Sequence, residues 1–145
     1  MMKKMRNDAG VTLMEIMIIV AIMAILAVVS VPNISRWISS QRLSSTAQQI
    51  ASEMQIARAK AVSERQNINF TIVTGMGFYA SYQYSPGGQL KHCTHSVTIS
   101  GVSGDNPIVF NSRGMASNDT NVSLINEKGM TKAVSVNVAG RVEVN

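Results

Sequence analysis

Hydrophobic and polar positions fall into three regimes along this chain. From Val11 to Val31 it reads VTLMEIMIIVAIMAILAVVSV, with no polar residue between Ile16 and Val29. As a helix rising ~1.5 Å per residue the run is about 30 Å long, the thickness of a bilayer's hydrocarbon core. Beyond Pro32, apolar residues recur at Leu43, Ala47, Ile50, Met54, Ala57 and Ala61, spaced 4, 3, 4, 3 and 4 apart. That is a helical stripe, with Gln41, Arg42, Gln48, Gln49, Glu53 and Arg58 on the other faces. The pattern predicts one long helix, broken or bent near Pro32 and ending at about Arg65. The small residues in the stripe imply the close approach of another layer, most simply a sheet.

Past Gln66 the period changes to two. Ile68, Phe70 and Ile72 alternate with polar residues, as do Ala80, Tyr82 and Tyr84 after Phe78. Gly75-Met76-Gly77 and Ser85-Pro86-Gly87-Gly88 punctuate them as turns. Further strands are predicted around Val97 and Ile99, Ile108 to Phe110, and Val122 to Ile125. Glu127-Lys128-Gly129 then turns into Val134, Val136 and Val138, and Ala139-Gly140 leads to Val142 and Val144. The expected fold is α+β: a long N-terminal helix, half membrane segment and half amphipathic, packed on a small antiparallel β domain.

Composition sharpens the division. At 145 residues the chain is a one-domain length, and its 46% apolar content is concentrated in the first quarter. Lys3, Lys4 and Arg6, offset by Asp8, precede the apolar run and predict a cytoplasmic N-terminus. Trp37 lies just past the run, where an interfacial position and a core or subunit contact are equally compatible with an indole. Cys93 is the only cysteine, so no disulfide forms within one chain, while pairing between chains stays open.

The apolar run alone also fits a secretory signal peptide cut near Ser30, or a plain signal anchor. Neither accounts for Glu15, since a carboxylate at bilayer depth costs roughly 3 kcal/mol on insertion scales. No catalytic constellation stands out. Gly75-Met76-Gly77 lacks the third glycine of a dinucleotide fingerprint, and Ser85-Pro86-Gly87-Gly88 is followed by no phosphate-loop lysine. In His92-Cys93-Thr94-His95 only Cys93 and His95 share a strand face, too few ligands for a structural zinc. No cofactor, metal or enzymatic activity is expected.

Gly10 followed by Val-Thr-Leu-Met-Glu and the apolar run resembles the class III leader of type IV pilins and pseudopilins. The resemblance implies that a prepilin peptidase cuts between Gly10 and Val11 and methylates the new N-terminus at Val11. Val11 departs from the family's usual phenylalanine. Glu15 stands at the offset of the family's assembly glutamate, and Pro32 where pilins carry a helix-bending proline. Ile108-Val-Phe-Asn-Ser-Arg-Gly114, Val136-Asn-Val-Ala-Gly-Arg-Val142 and the helix from Gln41-Arg-Leu through Ala57-Arg-Ala-Lys-Ala61 are similar to the GspH/FimT branch.

By this resemblance the chain divides into a leader (1–10), a transmembrane and assembly helix (11–31), an amphipathic continuation (32–65) and an antiparallel β domain (66–145). It implies a structural minor pilin or pseudopilin of a type II secretion pseudopilus or type IV pilus. The partners implied are the prepilin peptidase, other pilin or pseudopilin subunits and an inner-membrane assembly platform. The localisation implied is single-pass in the inner membrane, with the C-terminal domain periplasmic, and then in the filament. Some FimT-type proteins bind DNA in competence, and this gives an alternative in which Arg141, Lys132 and Lys128 contact nucleic acid. Glu143 stands where a second arginine of the DNA-binding tail would be.

Overall fold

In a computed structural model residues 11–74, 80–93 and 97–145 are described, the side chains at 28–33 excepted. Helix α1 spans Leu13–Glu64, and eight strands follow: β1 Ile68–Val73, β2 Ser81–Ser85, β3 Lys91–His92, β4 Val97–Ser103, β5 Ile108–Phe110, β6 Thr120–Asn126, β7 Thr131–Val136 and β8 Val142–Val144. The chain forms two compact units, up to Arg36 and from Trp37 to Asn145. Pro32 falls within the helical span, so the helix is not broken there. The expected bend falls among the residues whose side chains lie outside the description. Gly10, the basic residues before it, the Gly75-Met76-Gly77 turn, Phe78, Thr94 and His95 likewise lie outside the described residues.

In the first unit every described side chain from 11 to 27 is exposed, with Leu13 and Ile25 at 79% and 67%. Among the described residues, no helix is long and apolar enough to cross a membrane. The apolar run in the sequence continues past Ala27 into 28–31, whose side chains are not described.

In the second unit the stripe is the helix's buried face. Leu43, Ala47, Ile50, Met54, Ala57 and Ala61 are all at most 2% exposed, joined by Thr46 and Ala51. Trp37, by contrast, is 67% exposed and takes no part in the core. The helix ends as the sequence predicts. Arg65 adopts a left-handed φ of 53°, and the Gln66 N–H reaches back to the Ala61 carbonyl at 3.3 Å.

The strands divide into two antiparallel sheets, ordered β3-β2-β1-β5 and β4-β6-β7-β8. Burial alternates along β1 and β6, so that Ile68, Phe70 and Ile72, and Val122 and Leu124, point into the core. Phe70 and Tyr82 stack with ring centroids 5.4 Å apart. Beside them the Asn106 side chain stands in for a neighbouring strand. Its Oδ1 accepts from the Ile72 N–H (2.9 Å) and its Nδ2 donates to the Ile72 carbonyl (2.8 Å). Among the described residues, two backbone hydrogen bonds tie the sheets: the Ala80 N–H donates to the Val97 carbonyl, and the Ala116 N–H to the Val138 carbonyl, both at 3.0 Å.

Three tight turns share one construction, Asn-x-x-Gly-x, at Asn111–Met115, Asn126–Met130 and Asn137–Arg141. In each, the glycine N–H donates to the asparagine carbonyl at 2.8–3.0 Å, and the asparagine N–H to the carbonyl of the fifth residue at 2.9–3.1 Å. In each, the asparagine Oδ1 also accepts the N–H of that fifth residue. The glycines sit at φ of 77°, 74° and 77°, where a Cβ is strained. This is a type I turn closed by a left-handed residue, the common three-residue hairpin.

Two of these turns meet. A Cβ on Gly140 would lie 2.0 Å from the Gly114 carbonyl oxygen, a backbone clash, whereas one on Gly129 would touch nothing within 4 Å. The two sites therefore separate conformational strain from close approach. Gly129→Ala should cost about 1–2 kcal/mol, the left-handed penalty alone. Gly140→Ala should cost more than about 4 kcal/mol or prevent folding. Denaturant titration of the two variants checks this; equal losses would show that the contact between the turns is not a constraint.

Candidate functional site

At the N-terminal end, Thr12 caps α1. Its Oγ1 accepts the Glu15 N–H at 3.2 Å, and its carbonyl accepts the N–H groups of Glu15 and Ile16 at 3.1 and 3.3 Å. Thr-x-x-Glu is the capping-box spacing, which places Glu15 in the first turn, where a carboxylate is favoured by the helix dipole. Val11 and Glu15 are both exposed, and no ion pair is made by Glu15 among the described residues. The apolar segment thus presents one uncompensated acid beside the chain position that cleavage after Gly10 would turn into a free amine. The cap itself was legible as Thr12-Leu-Met-Glu15, a signal the apolar pattern overshadowed.

In the second unit the residues of the two resembling segments converge on the helix. Arg58 Nε donates to the Gly114 carbonyl at 2.9 Å. A Cβ on Gly114 would press on Arg58 Nε and Val62 Cγ2, each at 3.1 Å, and one on Gly140 would lie 2.9 Å from Arg58 Nε. The Asn-Ser-Arg-Gly and Asn-Val-Ala-Gly segments are therefore hairpin tips seated against one arginine. Sequence reading singled out both segments without assigning them this role. The threefold repetition of Asn-x-x-Gly was the signal that would have found it.

On the other side of the helix, Glu53 Oε1 pairs with Lys91 Nζ at 2.8 Å. Lys60 Nζ and Lys91 Nζ lie over the Tyr84 ring, 5.1 and 6.0 Å from its centroid. The bond from Glu53 holds the Lys91 ammonium above its ordinary pKa. Burial, seconded by the charge of Glu53, pushes the Cys93 thiol up to about 11. Burial is also the chief cause raising the Tyr82 phenol to about 12. His92 is exposed, with Nδ1 2.7 Å from Ser81 Oγ, while Cys93 is buried. The two sequence neighbours thus face different surroundings, and among the described residues no group of three or more metal-ligating side chains forms.

The three basic residues considered for nucleic acid are not brought together. Lys128 lies in the turn between β6 and β7 and Lys132 at the start of β7, whereas Arg141 follows the far end of β7. At ~3.4 Å per residue, β7 separates Lys132 from Arg141 by roughly 15 Å or more. Arg141 Nε is moreover engaged by Glu143 Oε1 at 2.7 Å.

The profile described as the prokaryotic N-terminal methylation motif matches residues 5–31. That described as type II transport protein GspH matches residues 46–140, well over half of the chain. No curated protein sequence matches it. Among solved structures, the fold is similar to the type IV minor pilin FimU of Pseudomonas aeruginosa strain PAO1. The TM-score is 0.58 at 17% identity, covering 73% of this chain and 90% of that one. It is also similar to the minor pseudopilin EpsH from the type 2 secretion system of Vibrio cholerae. There the TM-score is 0.54 at 10% identity, covering 72% of this chain and 96% of that one. At such identities the likeness is one of fold.

The buried thiol sets a pH dependence. Its folded pKa of about 11 lies above the ordinary 9.0, so between those values the unfolded chain ionises while the folded one keeps its proton. Stability should hold below about pH 9 and fall as pH rises toward 11. Tyr82 extends the decline upward, from 10.0 toward about 12. Denaturation midpoints of the native chain and Cys93→Ala, followed from pH 8 to 11, should converge with rising pH. A parallel decline in the two would remove the thiol from the account.

Proposed function

The chain belongs to the type II transport protein GspH family, and from that premise we propose that it is a structural minor pilin or pseudopilin. In this reading it is cleaved and N-methylated by a prepilin peptidase and assembles into a type II secretion pseudopilus or a type IV pilus. The observation that carries the proposal is the joint match: a methylation motif over 5–31 is followed in the same chain by a GspH domain over 46–140. Its work is to prime, cap or connect a filament through partner proteins, with no chemical step of its own.

The physical argument follows the N-terminal geometry. Residues 1–10 are the leader, and cleavage after Gly10 frees a cationic amine on Val11. Within one chain Glu15 is exposed and Thr12 fixes its turn. Its carboxylate is then available to the amine of a neighbouring subunit. At ~4 Å and an effective dielectric of about 20, that attraction is worth about 4 kcal/mol. In lipid neither charge is stable alone, so pairing favours assembly over dispersal and fixes the stagger between subunits.

Residues 11–31 supply the membrane anchor before assembly, with the N-terminus cytoplasmic and the domain periplasmic, as the basic leader supports. Pro32 introduces the bend between the anchor and the amphipathic half (32–65), which carries the β domain (66–145). The other partners in this reading are fellow subunits and the inner-membrane assembly platform. The separation of Arg141 from Lys128 and Lys132 gives the DNA-uptake alternative no support.

Coexpression with a prepilin peptidase tests the reading by intact mass. The expected product lacks Met1 to Gly10 and carries one added methyl group on Val11. An uncut chain, or one cut near Ser30, would overturn it. Glu15→Gln should then be cleaved normally yet reach the filament fraction at background level. Undiminished incorporation would remove Glu15 from assembly.

A further inference from the structure

Among the described residues, positive charge without ion-pair partners collects at one end of the second unit. There Asn126 donates through Nδ2 to the Ser39 carbonyl of the helix at 3.1 Å, and its Oδ1 accepts the Lys128 N–H at 3.0 Å. The turn between β6 and β7 is thereby pinned beside the start of the helix in this unit, with Lys128 exposed in it. Lys132 lies opposite Leu124 near the start of β7. Alternation along the strand puts its side chain on the helix-facing side, with Val134 and Val136.

From the helix, Arg42 adds a third cation. It is exposed, and helical side chains lean toward the N-terminus, so its guanidinium is directed back over the turn that carries Ile38. Among the described residues none of these three makes an ion pair, whereas Lys60, Lys91 and Arg141 each do. The acidic side chain at this end is Glu127, beside Lys128 in the turn. Glu53 is engaged by Lys91, and Asp119 and Glu143 lie toward the other end of the sheet.

Apolar surface adjoins the charge. Trp37 and Ile38 are 67% and 39% exposed, one helical turn before Gln41 and Arg42. In the sequence Trp37 stands six residues past Val31, the end of the apolar run. Along a helix that is ~9 Å, about the depth of one headgroup layer. An indole suits that depth, being apolar in its ring and polar at its N–H.

We infer that this end of the unit is a docking face for anionic phospholipid headgroups. Arg42, Lys128 and Lys132 hold phosphate oxygens, while Trp37 and Ile38 sit at the boundary with the acyl chains. Such docking presupposes residues 11–31 as the membrane anchor, and adds to that reading the lipid class and the residues that meet it. Charge complementarity and the entry of the chain from its apolar run at this same end together define the occupant. The attraction acts within about a Debye length, ~8–10 Å, so it holds the β domain down on the bilayer surface and weakens with salt.

Trp37 is the only tryptophan, so its fluorescence reports on this face alone. The test reconstitutes the full chain in vesicles of phosphatidylcholine and phosphatidylglycerol, one lipid or the other carrying a nitroxide near its headgroup. At equal label content, labelled phosphatidylglycerol should quench Trp37 about threefold more strongly than labelled phosphatidylcholine, and high salt should remove the excess. Lys128→Gln combined with Lys132→Gln should abolish most of the excess with an unchanged circular-dichroism melt, and Arg42→Gln should reduce it. Arg141→Gln, at the far end of the sheet, should leave it intact. Equal quenching by the two lipids, or an excess untouched by the lysine substitutions, would overturn the inference and leave the anchor standing. Trp37 emission that shifts to the blue with chain density at fixed lipid, without lipid preference, would assign the face to a second copy and overturn it too. A chain that fails to float with the vesicles would overturn the anchor as well.

Discussion

The β domain depends on the point where two hairpin tips and one helical arginine come within hydrogen-bond distance. Gly114 belongs to the turn that follows β5 of the first sheet, and Gly140 to the turn that joins β7 and β8 of the second. Arg58 holds the Gly114 carbonyl, and Gly140 lies so close that no side chain fits between. One contact therefore fixes both sheets to the helix and to each other. Each sheet is small, and four short strands need a covering layer to be stable. That layer is one face of α1, where Ala47, Ala57 and Ala61 are fully buried. Arg58 sets where along the helix the sheets stop.

The same logic operates at the other end of the second sheet. Asn126 closes the turn between β6 and β7 with its Oδ1 and donates through Nδ2 to the Ser39 carbonyl of the helix at 3.1 Å. An asparagine that builds a turn and docks it uses both halves of its amide. Glycine supplies the left-handed corner, asparagine the internal bond, and the helix receives the result. Small, polar turn residues thus do the positioning that large core side chains do elsewhere, in keeping with a unit that has little interior to fill.

Much of this architecture was legible because it is local. The 3.6-residue stripe from Leu43 to Ala61, the helix end at Arg65 and the period-two strands are written in nearest-neighbour chemistry, and the buried residues match them. What the pattern did not contain was partnership. Ile108 to Phe110 reads as a strand, but nothing in those residues says that it pairs with β1 rather than β6. The division into two sheets is a long-range choice. β3 is only Lys91 and His92, held by β2 and by Glu53, and carries no periodicity at all. At the N-terminus Glu15 was conspicuous because a charge in an apolar run is costly, while its cap by Thr12 was hidden by the length of that run. The basic residues failed as a patch for a related reason. Sequence proximity of Lys128, Lys132 and Arg141 is undone by the length of an extended strand between them.

One irregularity remains, in β4. Its register against β6 shifts between Ile99 and Gly101, so Ser100 has no partner opposite and anchors itself through Oγ to the Ser123 carbonyl at 3.1 Å. β4 is the outer strand of its sheet, so the bulge kinks a row of backbone groups that would otherwise lie open and straight. A straight outer strand would offer a second copy a continuous row of groups to pair with. With that kink at one margin of the second sheet, edge-to-edge pairing through β4 is disfavoured, and a ladder of copies joined margin to margin meets an obstacle at every step.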